Sequence, residues 1–195
     1  MDAIEQRRSI RAFQGRAVPH DALEEVLRAG MLAPSAKNAQ PWRFIVAEGE
    51  EKQRLVDAMQ MGIRRAKEAP QLSGLAAALA GAEHSAAILE QAPVAVVVQD
   101  VLAPEEADPL SALERTLEAS RLLSIGAAME NIILKATQLG LGTLWIADTA
   151  FAREEIERWC ALPGRVVSAL AIGYAGENPG PRPRKRPEDV IQWRR

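Results

Sequence analysis

The sequence predicts a mixed α/β or α+β domain, and three observations carry that expectation. Short apolar runs rich in β-branched residues, bounded by proline or glycine, recur along the chain between stretches whose apolar residues have helical spacing. One helical stretch is nearly apolar all round over several turns, so protein must enclose it. Beyond Gly173 the composition turns to proline, glycine and arginine, and residues 175–195 read as an extended arm that must lie on something. Strands interspersed with helices in this way define the class.

The elements follow in order. Asp2 with Glu5 gives a start signal for a short helix ending near Arg7. A second helix follows Pro19-His20-Asp21, with Asp21 as its cap, Leu23, Val26, Leu27, Gly30 and Met31 at helical spacing, and Pro34 as its stop. Residues 34–41 read as loop and Trp42–Ala47 as a strand. Residues 50–91 are helical in tendency, broken around Ala69-Pro70 and softened by Gly74 and Gly81. Pro93–Val98 is a continuous apolar run, as expected of a strand buried on both faces. A long helix is expected from Pro109 to Leu139, apolar all round in its second half and closed by Gly140 as a C-cap. Strands over Leu141–Ala147 and Val166–Tyr174 flank a short helix over Ala152–Trp159.

Bulk properties narrow the function. A chain of 195 residues, 48% apolar and 26% charged, suits one globular domain over 1–195 with a full core. A net charge of -2 counts against a nucleic-acid binder relying on overall basicity, although arginines crowd both ends. Cys160 is the only cysteine, which excludes an intrachain disulfide and a multi-cysteine metal site and fits a reducing compartment. No signal-like apolar run precedes the first arginines and no stretch reaches membrane-spanning length, so the expectation is a cytoplasmic protein with no membrane partner.

Two segments carry candidate chemistry. In Arg7-Arg8-Ser9-Ile10-Arg11, an extended backbone would turn Arg7, Ser9 and Arg11 to one side and Arg8 and Ile10 to the other. Guanidinium forks around a hydroxyl match a phosphate or a ring carbonyl; the alternative is a solvated basic N-terminus. The loop Ala33–Trp42 places small and amide-bearing residues between two prolines, suited to a planar polar heterocycle or a phosphate, or serving only as a helix-to-strand connection.

Several chemistries are absent from the pattern. Gly140-Leu141-Gly142 precedes a strand, and Trp145 stands where a dinucleotide fingerprint needs its third glycine. There is no phosphate loop of the GxxxxGK type, no GxSxG elbow, and neither His20 nor His84 has metal-ligand spacing. A chain without an activated nucleophile or metal site, yet with donors at both ends, points to chemistry supplied by a bound cofactor and to no catalytic side chain of its own.

Four blocks in order, Arg7–Phe13, Ala33–Trp42, Leu139–Thr143 and Arg184-Lys185, resemble the FMN-dependent nitroreductase family. The resemblance implies a nitroreductase-like α+β fold: a mixed sheet flanked by helices, a long central helix, and an extended C-terminal arm in an intertwined homodimer with FMN at the interface. By the same resemblance Arg7 and Ser9 hold the flavin's phosphate, ribityl or pyrimidine edge with help from Arg8, Arg11 lies near N1 and the C2 carbonyl, and Arg184 and Lys185 close on the phosphate. Pro34, Ser35, Ala36 and Asn38 come from the other subunit. Ile146 and Ala147 carry a backbone N–H to flavin N5, and Ser124 approaches the pyrimidine edge. The activity implied is ping-pong transfer of a hydride from NADH or NADPH to a small-molecule acceptor such as a nitroaromatic or a quinone.

Ala147-Asp148 departs from the glutamate-glycine pair of many members, so Asp148 either changes the pocket's charge or faces solvent. Residues 71–91 fall where the family varies most and a lid selects substrates. Specialised relatives that fragment flavin or remove halogens would share the cofactor motifs. The rival from another class is a non-enzymatic protein whose basic ends bind an anionic macromolecule.

Overall fold

The computed structural model describes residues 2–69, 74–104 and 111–194. The expected break at Pro70 and the expected helix start at Pro109 lie outside the described residues. Four strands, β1 (Trp42–Glu48), β2 (Val94–Asp100), β3 (Gly142–Ile146) and β4 (Arg165–Gly173), form one sheet in the order β1-β2-β4-β3. All three strand pairings are antiparallel, and a parallel component enters only through a bridge from Ser9 to Thr143.

Every residue of β2 is buried because helices cover both faces of the sheet. Val94, Val96 and Val98 face one core with Leu170 and Ile172, packed under α2 (His20–Met31) and α5 (Ala112–Gln138) through Leu23, Val26, Ile125, Met129 and Ile132. Ala95 and Val97 face the other, under α3 (Gly49–Glu68), α4 (Ala76–Gln91) and α6 (Arg153–Cys160), with Leu55, Met59, Leu89 and Ile156. The two-residue repeat of a strand thus assigns alternate side chains of one apolar run to opposite cores.

Local signals account for several boundaries. Asp2 caps α1 (Ala3–Gln6) by accepting the Ile4 N–H at 3.0 Å. Ser111 and Glu114 form a reciprocal capping box at the start of α5. At the other end of α5 Gly140 adopts φ +75°, with Leu141 N–H bonded to Ala136 O at 2.8 Å and Gly140 N–H to Thr137 O at 3.1 Å; this is the Schellman pattern, which fixes the turn into β3.

Two expectations need correction. Asp21 is not the cap of α2: the helix begins at His20 with Pro19 at the cap, and the Asp21 carboxylate accepts the neighbouring Ala22 N–H at 2.9 Å within the first turn. Proline's fixed φ suits the position before the helix, and a carboxylate in the first turn still meets the positive helix end. The tail is not wholly extended, since Pro187–Val190 closes one helical turn, α7, with proline at its start.

The long helix is not enclosed by its own chain. Leu113, Leu117, Leu122 and Leu123 are exposed on α5, and Val190, Ile191 and Trp193 are exposed on the tail.

Candidate functional site

The arginine-rich segment leaves α1 at Arg7 and runs extended along the edge of β3. Ser9 forms a parallel bridge with Thr143, and the Ile10 N–H donates to Thr143 O at 2.9 Å. Ile10 turns inward and is buried against Gly142, where an added Cβ would lie 2.7 Å from Ile10 Cγ1. The second glycine of the Gly-Leu-Gly triplet therefore serves close approach of the segment to the sheet.

With Ile10 pointing in, Arg7, Ser9 and Arg11 line one cavity of 360 Å³, closed on its other side by Pro179–Arg182 and Arg184. Arg8 lines it too, against strict alternation. The reason is local: Arg7 has φ -53° and ψ 132°, nearer a polyproline II geometry than a flat strand, so side chains there do not alternate cleanly.

The charges of this cavity are weakly compensated. Arg8 donates to the carbonyls of Glu5 and Arg7, Arg11 to that of Ser9, and Arg184 to those of Arg182 and Pro183. Among the described residues only the Arg7 guanidinium of this set has a carboxylate partner, Glu130 on α5 at 3.6 Å, while Arg11 meets Glu177 through its backbone N–H and Glu5 sits in the lining. Guanidinium groups bonded to neutral carbonyls keep their positive charge for a ligand anion.

Two ends of the chain meet here through a short clasp. Phe13 bridges Ala175 in antiparallel fashion, Gln14 N–H donates to Tyr174 O at 2.9 Å, and Gly176 N–H to Ala12 O at 2.8 Å. The Arg16 guanidinium lies over the Tyr174 ring at 4.0 Å.

The loop after α2 builds a second place of interest. Lys37, Asn38 and Gln40 all have positive φ, at 56°, 55° and 46°. Left-handed non-glycine residues cost about 1–3 kcal/mol each and cluster at functional sites. The loop is held in that shape by Ser35, whose Oγ accepts the Gln40 N–H and whose carbonyl accepts the Asn38 N–H, both at 3.0 Å. Ala36 donates its N–H to Ser124 Oγ on α5 at 3.4 Å, and both residues line a 250 Å³ cavity with Leu102, Leu117 and Arg121. Pro34 is exposed at the loop's start.

The predicted site residues thus fall into groups. Arg7, Arg8, Ser9, Arg11 and Arg184 share the first cavity; Ala36 and Ser124 share the second, with Pro34, Ser35 and Asn38 in the loop beside it. Ser124 therefore stands with the loop and not with the arginines. β3 ends at Ile146 and Ala147 follows it, about 10 and 13 Å beyond Thr143 at the rise of a strand. The Ile146 side chain is in the core, so only its backbone and the exposed Ala147 can meet a ligand. Lys185 is exposed and lines neither cavity. Asp148 does not simply face solvent: it is half-buried and accepts a hydrogen bond from Ser85 Oγ of α4 at 2.6 Å.

Sequence reasoning missed Glu130 and Glu177 beside the arginines. Glu130 sits on the expected helix, but no spacing rule pairs it with Arg7 across 123 residues of chain (130 minus 7).

Other buried polar groups hold the frame. Glu155 is buried and bound at both oxygens by Arg65, at 2.8 and 3.1 Å; that hydrogen bonding keeps its carboxyl below the usual range, against the opposing effect of burial. Asp100 is buried at the end of β2 and paired with Arg121 at 2.7 Å. Burial pushes the Cys160 thiol up to about 11, which leaves it unreactive near neutrality. Among the described residues no group of three or more His, Cys, Asp and Glu is placed to hold a metal, and no helix is long and apolar enough to cross a membrane.

The fold is an α+β sandwich with an arginine-lined cavity between its chain ends. The nitroreductase family profile matches residues 4–174, and the chain belongs to that family. It is 30% identical over 187 residues to a protein of Methanothermobacter thermautotrophicus provisionally named NADH dehydrogenase/NAD(P)H nitroreductase, covering 93% of this chain and 80% of that one. In fold it is similar to the FMN and NADPH-dependent nitroreductase NfnB from Sphigopyxis sp. strain HMH, with a TM-score of 0.76, 24% identity, and coverage of 98% of this chain and 97% of that one. A BluB-like flavoprotein from Clostridium difficile 630 superposes with a TM-score of 0.79 at 22% identity, covering 100% of this chain and 98% of the other.

Proposed function

We propose that this chain is an FMN-dependent NAD(P)H oxidoreductase acting on nitroaromatic, quinone or related acceptors, as a cytoplasmic homodimer of one domain per chain. The observation that carries the reading is the cavity in which Arg7, Arg8, Ser9, Arg11 and Arg184, from opposite ends of the chain, present cationic and hydroxyl donors bonded mostly to neutral carbonyls. That donor set fits a phosphate and a polar ring edge.

A bound FMN would supply the redox chemistry, carrying hydride equivalents from NADH or NADPH to the second substrate. The chain's own residues bind and polarise. Arg7 and Ser9 hold the phosphate, ribityl or pyrimidine edge with Arg8 assisting, and Arg184 and Lys185 close on the phosphate. Arg11 places a cation where negative charge gathers on reduction, which favours electron uptake. A backbone N–H at Ile146 or Ala147 would serve N5, and no side chain need act as acid or base.

Pro34, Ser35, Ala36 and Asn38 act from the partner subunit, in a loop already held in a strained shape. Ser124 accompanies that loop, in keeping with its bond to Ala36. The leucines exposed on α5 and the apolar residues of the tail are the surface a second subunit would cover.

The test is an absorbance spectrum of purified protein with and without added FMN, followed by anaerobic titration with each nicotinamide. Flavin uptake, bleaching by NADH or NADPH and reoxidation by a quinone or nitroarene support the reading. Failure to take up FMN refutes it. Product analysis with reduced flavin under oxygen separates a flavin-fragmenting relative.

A further inference from the structure

We propose that Glu177 is a positioning residue for the anion site, acting as a hydrogen-bond acceptor and not through its charge. The inference rests on the reading of the first cavity as an FMN site. One oxygen of the Glu177 carboxylate accepts the backbone N–H of Arg11 and, at 3.3 Å, that of Ala12. It adds to a clasp made of backbone bonds from Gln14 to Tyr174 and from Gly176 to Ala12 and of the Gln14 side-chain amide, which donates to Ala175 O at 2.8 Å.

The placement is electrostatically unexpected. A carboxylate on the Arg11 backbone, behind a cavity lined by Arg7, Arg8, Arg11, Arg182 and Arg184 but not by Glu177 itself, opposes the binding of an anion, so charge alone argues against a glutamate here. Its geometry supplies the reason. Arg11 lies between the Ile10–Thr143 bond and the clasp that begins at Ala12, and Glu177 is the acceptor that holds the N–H groups of Arg11 and Ala12. Fixing them fixes where the Arg11 side chain leaves the backbone. The same carboxylate belongs to the segment that leads into Pro179–Arg184, so it ties Arg11 on one wall of the cavity to the chain that forms the other, beside the backbone pairing of residues 12–14 with 174–176. Glu177 is exposed, which lowers the strength of each bond but leaves room for substitution without disturbing the core.

The two roles, acceptor and charge, predict opposite results. Glu177→Ala removes the acceptor and the charge, whereas Glu177→Gln keeps an acceptor oxygen and removes only the charge. If position is what matters, E177A weakens FMN binding about tenfold, the loss expected for one hydrogen bond, and E177Q binds as wild type or more tightly. The assay is quenching of flavin fluorescence by apoprotein at fixed ionic strength, with the thermal midpoint of each apoprotein measured in parallel.

Loss in E177A with rescue in E177Q, at similar apoprotein midpoints, supports the proposal. Equal or tighter binding in E177A overturns it, as does an equal loss in both variants. Failure of wild-type protein to bind FMN removes the cofactor reading and this inference with it, whereas wild-type binding with unchanged E177A removes only the inference.

Discussion

Substituting Gly142 by alanine should damage the fold and the site together, because this glycine is where the arginine segment rests on the sheet. A methyl at that position would lie 2.7 Å from Ile10 Cγ1, 3.1 Å from its Cβ and 3.2 Å from its Cγ2. These atoms belong to a β-branched side chain that is itself buried, so it cannot swing away and the whole segment must lift from β3. Overpacking of this kind costs about 1–3 kcal/mol. At about 2–4 °C per kcal/mol for a chain of this size, the thermal midpoint should fall by roughly 2–12 °C.

The same lift strains the Ile10–Thr143 bond and moves Ser9 and Arg11, so FMN affinity should fall with stability. Ile10→Ala alone leaves a cavity, at about 2–5 kcal/mol for a well-buried isoleucine. In the double variant the two defects relieve each other, and the combined loss should be smaller than the sum of the singles. Urea unfolding of the four proteins, with FMN titration of each, gives the coupling. Additive losses, or a Gly142→Ala protein with wild-type stability and flavin affinity, would refute the claim that Ile10 seats the segment on Gly142.

Gly62→Ala should be more severe, since its methyl would lie 2.4 Å from the Ala152 backbone and 2.6 Å from Glu155 Oε2; soluble expression and urea unfolding should show a loss above about 3 kcal/mol or no folded protein. Arg121→Met should leave the buried Asp100 carboxylate without its ion pair and cost about 3–5 kcal/mol in chemical denaturation. Glu155 has a depressed carboxyl pKa, so its contribution is present above the unfolded value near 4.5 and is lost as pH falls through the folded value; acid unfolding followed by circular dichroism should flatten below that pH in Glu155→Gln. With its thiol pushed up to about 11, Cys160 should resist a thiol reagent at pH 8 in folded protein and react fully in urea.

Much of the frame is legible because its causes are local. The valine run of β2 reads as a strand buried on both faces, and alternate residues do enter two cores. Gly140 closes the long helix as expected, through capping chemistry that spans only a few residues, whereas the Ser111–Glu114 capping box that opens it is not among the sequence expectations, which put the start at Pro109. Asp21 misleads because proline and aspartate both suit a helix start and only the fold decides between them. The antiparallel order of the sheet is set by which strands share a core, which no single segment encodes.

The site is legible to a similar depth. The spacing of Arg7, Ser9 and Arg11 anticipates their common cavity, with Ile10 buried on the other side, but not that Arg8 would line it as well. What joins them to Arg184 is the pairing of residues 12–14 with 174–176, a contact between chain ends with no sequence periodicity. Glu177 and Glu130 are hidden from the sequence for the same reason.

The central claim, that the two arginine-bearing chain ends form a phosphate-holding wall of a flavin site, is tested most directly by comparing FMN with riboflavin, which has the same ring system and no phosphate. Two or more charge-assisted bonds to phosphate, at about 1.5–3 kcal/mol each, predict that FMN binds more than about a hundredfold tighter. That preference should shrink as salt is raised and should be lost in a protein carrying Arg7→Ala and Arg184→Ala. Equal affinity for FMN and riboflavin, or uptake of neither, would contradict the account.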